Sequence, residues 1–141
     1  MTDLDLQEKR IENILKNGNN TSYLKDTETI QIYFKYLKDN IELPLKMSGI
    51  EDFYWEEKYV MGEGNKKEYE KLKKTNPSYT DIFEFIDFEE IEDYDEQIFV
   101  KVRRESDNKN FILELDQLES IDKKSKNYQL LEDFVTWFVN Y

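Results

Sequence analysis

The sharpest pattern along the chain lies in residues 97–104, where Ile98, Val100 and Val102 interleave with Phe99, Lys101 and Arg103. Successive strand side chains point to opposite faces, so this alternation predicts a half-buried β-strand. Ser106-Asp107-Asn108-Lys109 reads as a turn, and behind it Phe111, Leu113 and Leu115 alternate with Ile112 and Glu114. The two runs form a predicted hairpin, followed by a tight turn at residues 115–118. Residues 82–88 make a further strand with less regular alternation, and residues 53–61, rich in Tyr and Trp, another. Pro44 holds residues 41–47 extended, and Met47-Ser48-Gly49 reads as a turn.

Helical spacing governs the rest. Leu4, Ile11, Ile14 and Leu15 form a narrow stripe in a helix over residues 3–17, ended by Asn17-Gly18-Asn19-Asn20. Asp26 or Thr27 caps a second helix with Ile30, Tyr33, Phe34 and Leu37 on one face. Asn65 with Glu68 three residues on resembles a capping box, opening a short helix to Lys74 that Asn76-Pro77 closes. Leu130, Leu131, Phe134, Trp137, Phe138 and Tyr141 recur at spacings of three and four, the signature of a core helix. Short strands among flanking helices predict an α+β fold built on a small, strongly bent antiparallel sheet. A change of character near residue 40 divides the chain into a helical N-terminal arm, 1–40, and a strand-rich body, 41–141.

Composition narrows the chemistry. The 141 residues suffice for one domain with a real core, and an aromatic share of 15% supplies that core despite 37% charged residues. The sequence has neither His nor Cys. That excludes zinc and iron sites built on nitrogen or sulfur, and His-dependent nucleophilic triads. With no spacing of carboxylates, Tyr or Lys that commits to a site, the expectation is a non-enzyme. The missing cysteines, the polar first twenty residues and the lack of a long apolar run point to a cytoplasmic protein without a membrane span. A net charge of -12 disfavours nucleic acid and favours a cation or a basic protein as partner.

That charge is concentrated. Asp81, Glu84, Asp87, Glu89, Glu90, Glu92, Asp93, Asp95 and Glu96 place nine carboxylates in sixteen residues with no Lys or Arg among them. Carboxylates this close repel one another unless a cation or solvent offsets the field. Hard oxygen donors suit calcium. The spacing does not fit an EF-hand: from Asp93 the fifth position is Gln97 and the sixth Ile98, where a glycine is required. A solvated acidic loop is the plainer reading of the same run.

Other constellations carry less. Tyr54, Trp55, Tyr59 and Tyr69 read as core and edge packing before a ligand platform, and Lys71, Lys73 and Lys74 as a solvated basic face. Gly62-Glu63-Gly64-Asn65 lacks the Lys-Ser/Thr of a phosphate loop.

The stretches IELPLKMSG, EKYVMGEGNKKEYEKLKKTNPSYTDIFEF, IFVKVRRESDNKNFILELDQLE and KSKNYQLLEDFVTWFVNY, in that order, resemble a bacterial family of calcium-binding proteins, the CcbP type. The resemblance covers residues 41–141, with an insertion at 62–79, and leaves 1–40 unmatched. It implies an α+β fold with a small SH3-like barrel. It also implies calcium binding by clustered acidic residues and a role as a cytosolic calcium buffer or sensor. Carried over by position, the family's acidic loop falls on Glu89, Glu90, Glu92, Asp93, Asp95 and Glu96. The same acidity fits a second class, a protein-binding module such as an immunity protein against a basic toxin, whose association charge complementarity would speed.

Overall fold

The computed structural model describes residues 2–16 and 23–141. Helix α1 runs Asp3–Lys16 and α2 Thr27–Asn40. Asp26 supplies the N-cap of α2: its Oδ1 accepts from Thr29 N at 2.8 Å, while Asp26 N donates to Thr29 Oγ1 at 2.9 Å. This reciprocal box satisfies backbone donors that the first turn leaves without helical partners. The expected stop at residues 17–20 lies outside the described residues. In α1 the buried lane is Gln7, Ile11, Ile14 and Leu15, whereas Leu4 is 74% exposed, so the stripe begins one turn later than predicted.

Strands β1 (Lys46–Gly49), β2 (Phe83–Phe88), β3 (Phe99–Arg104), β4 (Asn110–Glu114) and β5 (Leu118–Ser120) form one antiparallel sheet in the order β4-β3-β2-β1-β5. The α+β class is as predicted. The barrel is not, because edge strands β4 and β5 do not pair and the sheet stays open. It curls far enough that a single 3-10 turn, Leu115–Gln117, carries the chain from one edge to the other. Closure would need ladder hydrogen bonds that a three-residue β5, paired only with β1, does not extend to β4. A bulge between Phe85 and Asp87 explains the irregular alternation of β2.

Two local predictions fail for tertiary reasons. Residues 47–49 are strand rather than turn, because β1 is held between β2 and β5. Gly49 is required there, since a Cβ would lie 2.5 Å from the Tyr79 Cβ. The aromatic segment 53–61 is not a strand but a 3-10 turn, Tyr54–Glu56, followed by helix α3, Glu57–Val60. Gly62, at φ 85, ends it in the left-handed region. Helix α4, Lys66–Leu72, opens on Asn65, whose Oδ1 accepts from Lys67 N. Glu68 does not return the capping bond, and Tyr59 OH donates to it instead. The hairpin turn between β3 and β4 places Asn108 at φ 62, a conformation that Asn tolerates.

Helix α5, Lys126–Asn140, completes the core. Trp137 is fully buried, stacks on Tyr33 of α2 at 4.8 Å between ring centroids, and donates its indole N–H to Tyr23 O at 2.8 Å. Ile11, Leu15, Ile30 and Leu37 of α1 and α2 belong to the same cluster as Met47, Phe83, Val100 and Val102 of the sheet. Residues from both sides of position 40 thus build one core. A bidentate pair, Arg10 Nε and Nη2 to Asp133 at 2.8 and 3.0 Å, ties α1 to α5, with Gln7 Nε2 donating to the same carboxylate. Replacing buried Asp133 by Ala removes the bidentate acceptor of Arg10 and leaves Gln7 Nε2 only its bond to Thr136 Oγ1. Asp133→Ala is expected to lower unfolding stability by about 2 kcal/mol, measured as a lower urea midpoint at unchanged slope.

Candidate functional site

The acidic run spans β2 and the connection from β2 to β3, and the fold divides it in two. Its first members are neutralised by arginines of β3. Arg103 Nη2 donates to Glu84 at 2.7 Å, directly across the β2–β3 ladder, and Arg104 Nη1 donates to Asp81 at 3.1 Å. Asp87, in β2, is exposed and accepts from Phe88 N. The other six, from Glu89 to Glu96, lie in the loop, and among the described residues no ion pair reaches Asp87, Glu89, Glu90, Glu92, Asp93, Asp95 or Glu96. Glu90, Glu92, Asp93 and Glu96 are exposed, and Glu89 and Asp95 are half-buried.

The loop nonetheless has a defined path. Glu89 N donates to Phe99 O at 3.0 Å, closing the strand pair. Glu92 N donates to Asp95 Oδ2 at 2.8 Å and Asp95 N to Glu92 O at 3.0 Å, forming a turn. Gln31 of α2 donates to Glu92 O at 2.6 Å, and Ile91 packs against the core. These bonds orient the backbone. They do not gather the carboxylates: among the described residues no three acidic side chains converge as a metal would require.

Lys25 lies beside this region. It lines a groove with Asp95, Glu96 and Phe99, and its ammonium sits 4.0 Å above the Phe138 ring. Its charge also acts on Asp116, in the turn between β4 and β5. Asp116 Oδ1 is buried without a hydrogen bond, and burial, reinforced by Glu114, pushes its carboxyl above the usual range. The loop's all-oxygen donor set fits a hard divalent cation. The donor chemistry therefore suits calcium, while the ligand arrangement is not preformed.

Two polar centres escaped the sequence reading. The first is Arg104, 2% exposed, whose Nε and Nη2 bind Asp107 at 3.0 and 2.7 Å. Its remaining donors reach Lys73 O, Lys74 O and Asn76 O beyond α4. A signal existed, because position 104 continues the buried phase of 98, 100 and 102. The second is Glu56, fully buried, which accepts from Phe53 N, Tyr69 OH, Ser78 Oγ and Tyr79 N. Burial, and the bond to Glu56, push the Tyr69 phenol up. Glu56 is saturated by donors and sealed from solvent, so it anchors loops rather than acting on a ligand. No local pattern marks it.

With the fold and the acidic loop in place, the comparisons with known proteins are consistent. A family model described as calcium binding, of the CcbP type, matches residues 65–138, just over half of the chain. The chain belongs to this calcium-binding family. The crystal structure of Anabaena CcbP shares the fold at 18% identity, with a TM-score of 0.59, over 97% of this chain and 91% of that one. A calcium-binding protein in its calcium-binding form shares it at 19% identity, with a TM-score of 0.58, over 99% of this chain and 96% of that one. Both alignments include α1 and α2, beyond the region where the sequence resemblance was visible. No curated protein matches the chain. Among the described residues no helix is long and apolar enough to cross a membrane.

The charge pairs give two testable outcomes. Arg104 holds the Asp107 carboxyl at about 2, below its ordinary value of 3.8. A carboxyl lowered by folding stabilises the native state above its unfolded value, and that contribution is lost as pH falls through the folded one. Acid unfolding of Asp107→Asn should lack the part of the pH dependence that lies between 3.8 and about 2. Glu56→Ala removes the acceptor of four buried or half-buried donors, of which Ser78 Oγ keeps another partner, Thr80 Oγ1, and is expected to lower stability by about 3 kcal/mol, read by the same urea titration.

Proposed function

We propose that this protein is a non-enzymatic calcium buffer that takes up the ion through the acidic loop between β2 and β3. The observation that carries this reading is the division of the acidic run. Arginines neutralise Asp81 and Glu84, while among the described residues Glu89, Glu90, Glu92, Asp93, Asp95 and Glu96 have no ion pair. Bound calcium would supply the positive charge that the loop lacks.

The chain's own contribution is positional. The Glu92–Asp95 turn and the Gln31 bond fix the loop backbone, and the exposed carboxylates are free to rotate into a ligand set. Ordering those side chains costs entropy, so affinity is on the order of micromolar rather than nanomolar. Carboxylates hold a cation only when ionised, so affinity weakens in acid. The absence of cysteine accords with a reducing compartment, and cytoplasmic buffering is the role we assign.

Isothermal titration of chelator-treated protein tests this. Saturable uptake at micromolar calcium, not reproduced by magnesium, is expected, and Asp93→Asn combined with Asp95→Asn should weaken it by about tenfold or more. Unchanged affinity in the double variant would move the site off the loop. Only weak, salt-screened association, accompanied by calcium-independent capture of a basic protein, would replace the calcium reading with the protein-binding one.

A further inference from the structure

Strand β4 is one free edge of the sheet and pairs with β3 alone. The β3–β4 register is one-to-one from Phe99↔Glu114 to Arg103↔Asn110. Beyond its two ends Arg104 N donates to Lys109 O and Leu115 N to Ile98 O. Bonded and non-bonded pairs alternate along an antiparallel ladder, so Lys109, Phe111, Leu113 and Leu115 turn their backbone groups toward β3. Asn110, Ile112 and Glu114 turn theirs outward, and among the described residues no other strand meets them there.

This edge is not blunted in the ways that keep sheet edges apart. The strand contains neither Pro nor Lys. Ile112 is 57% exposed, and Phe111 and Leu113 are half-buried. An open row of backbone donors and acceptors with an apolar centre is a template for a further strand. A second copy of β4 fits it. Turned antiparallel about Ile112, that copy sets Ile112 against the partner's Ile112 and Asn110 against the partner's Glu114. Each outward-facing position then meets an outward-facing position. Ile112 N donates to O of the partner's Ile112, and Glu114 N to O of the partner's Asn110. The twofold axis repeats both bonds. On the outer face the Asn110 amide meets the carboxylate of the partner's Glu114.

Charge selects the same orientation. Glu89 N donates to Phe99 O, and Phe99 lies opposite Glu114, so the acidic loop sits at the Glu114 end of β4. At the Asn110 end, beside the hairpin turn, Lys73, Lys74, Arg104 and Lys109 offset Glu70, Asp81 and Asp107. Antiparallel pairing keeps the two acidic loops at opposite ends of the joint, each beside the partner's balanced turn. Parallel pairing would set loop against loop, with like charges opposed.

We propose that this protein associates with a second copy of itself through β4, in an antiparallel pairing centred on Ile112 that joins the two sheets into one. The proposal does not rest on the calcium reading.

Sedimentation equilibrium of the full chain in chelator is expected to show a monomer–dimer equilibrium. Position 112 faces itself across the twofold axis, so Ile112→Lys and Ile112→Glu should each weaken the dimer by about tenfold or more, and an equimolar mixture of the two should associate again. The side chain is exposed, so neither change opens the core. Hydrogen exchange on the unaltered chain reads the same joint without substitution: the amides of Ile112 and Glu114 should exchange more slowly as protein concentration rises. A dimer that neither variant weakens, a mixture that does not reassociate, or exchange at Ile112 and Glu114 that ignores concentration would overturn the proposal. So would a chain that stays monomeric at every concentration, which would leave the edge to a strand of another protein.

Discussion

The buried guanidinium of Arg104 is the constraint on which the insertion between β1 and β2 depends. Burying a cation costs several kcal/mol unless its donors are all met. Here every donor nitrogen is engaged, by Asp107 and Asp81 and by three backbone carbonyls at Lys73, Lys74 and Asn76. Those carbonyls follow a short helix that has no buried residue of its own. The chain past α4 is therefore held by polar bonds, most of them from Arg104 and others from Lys109 and Trp55, rather than by an apolar face of the helix. The Phe111 ring, 5.0 Å from the guanidinium, covers it on the sheet side.

Glu56 performs the complementary task with the opposite charge. It collects donors from the 3-10 turn, from α4 and from the segment at Ser78 and Tyr79. Stacked Tyr59 and Tyr69, 5.0 Å apart and nearly parallel, close over Trp55 beside it. One buried cation and one buried anion thus organise the residues that the hydrophobic core does not reach. β3 devotes Arg103 and Arg104 to the start of the acidic run, and among the described residues no ion pair reaches its later carboxylates. The unneutralised charge of the loop follows from where the strand places its arginines.

Much of the architecture was readable in the chain. The β3–β4 hairpin, the cap at Asp26, the core face of α5 and the α+β class all follow from local periodicity, which reports what a residue's neighbours bury. Misreadings fell where partners distant in sequence decide. Residues 47–49 became a central strand because β2 and β5 flank them, and β5, at three residues, is too short to show a period. Residues 53–61 carry strand-favouring aromatics, yet that preference reflects packing against neighbours, and here the neighbour is α4. The six loop residues were legible as a charged run. Their lack of ion pairs and their failure to converge were not.

By itself the sequence determined most of the elements, the apolar faces that build the core and the concentration of carboxylate between β2 and β3. It also determined an oxygen-only donor set, because no His or Cys exists to supply another. Tertiary structure alone decided which carboxylates are neutralised, that the sheet stays open, and that Arg104, Glu56 and Asp133 are buried in polar clasps. The reason is physical. Periodicity and composition act between near neighbours, whereas the burial of a charge depends on donors and acceptors brought together from across the chain.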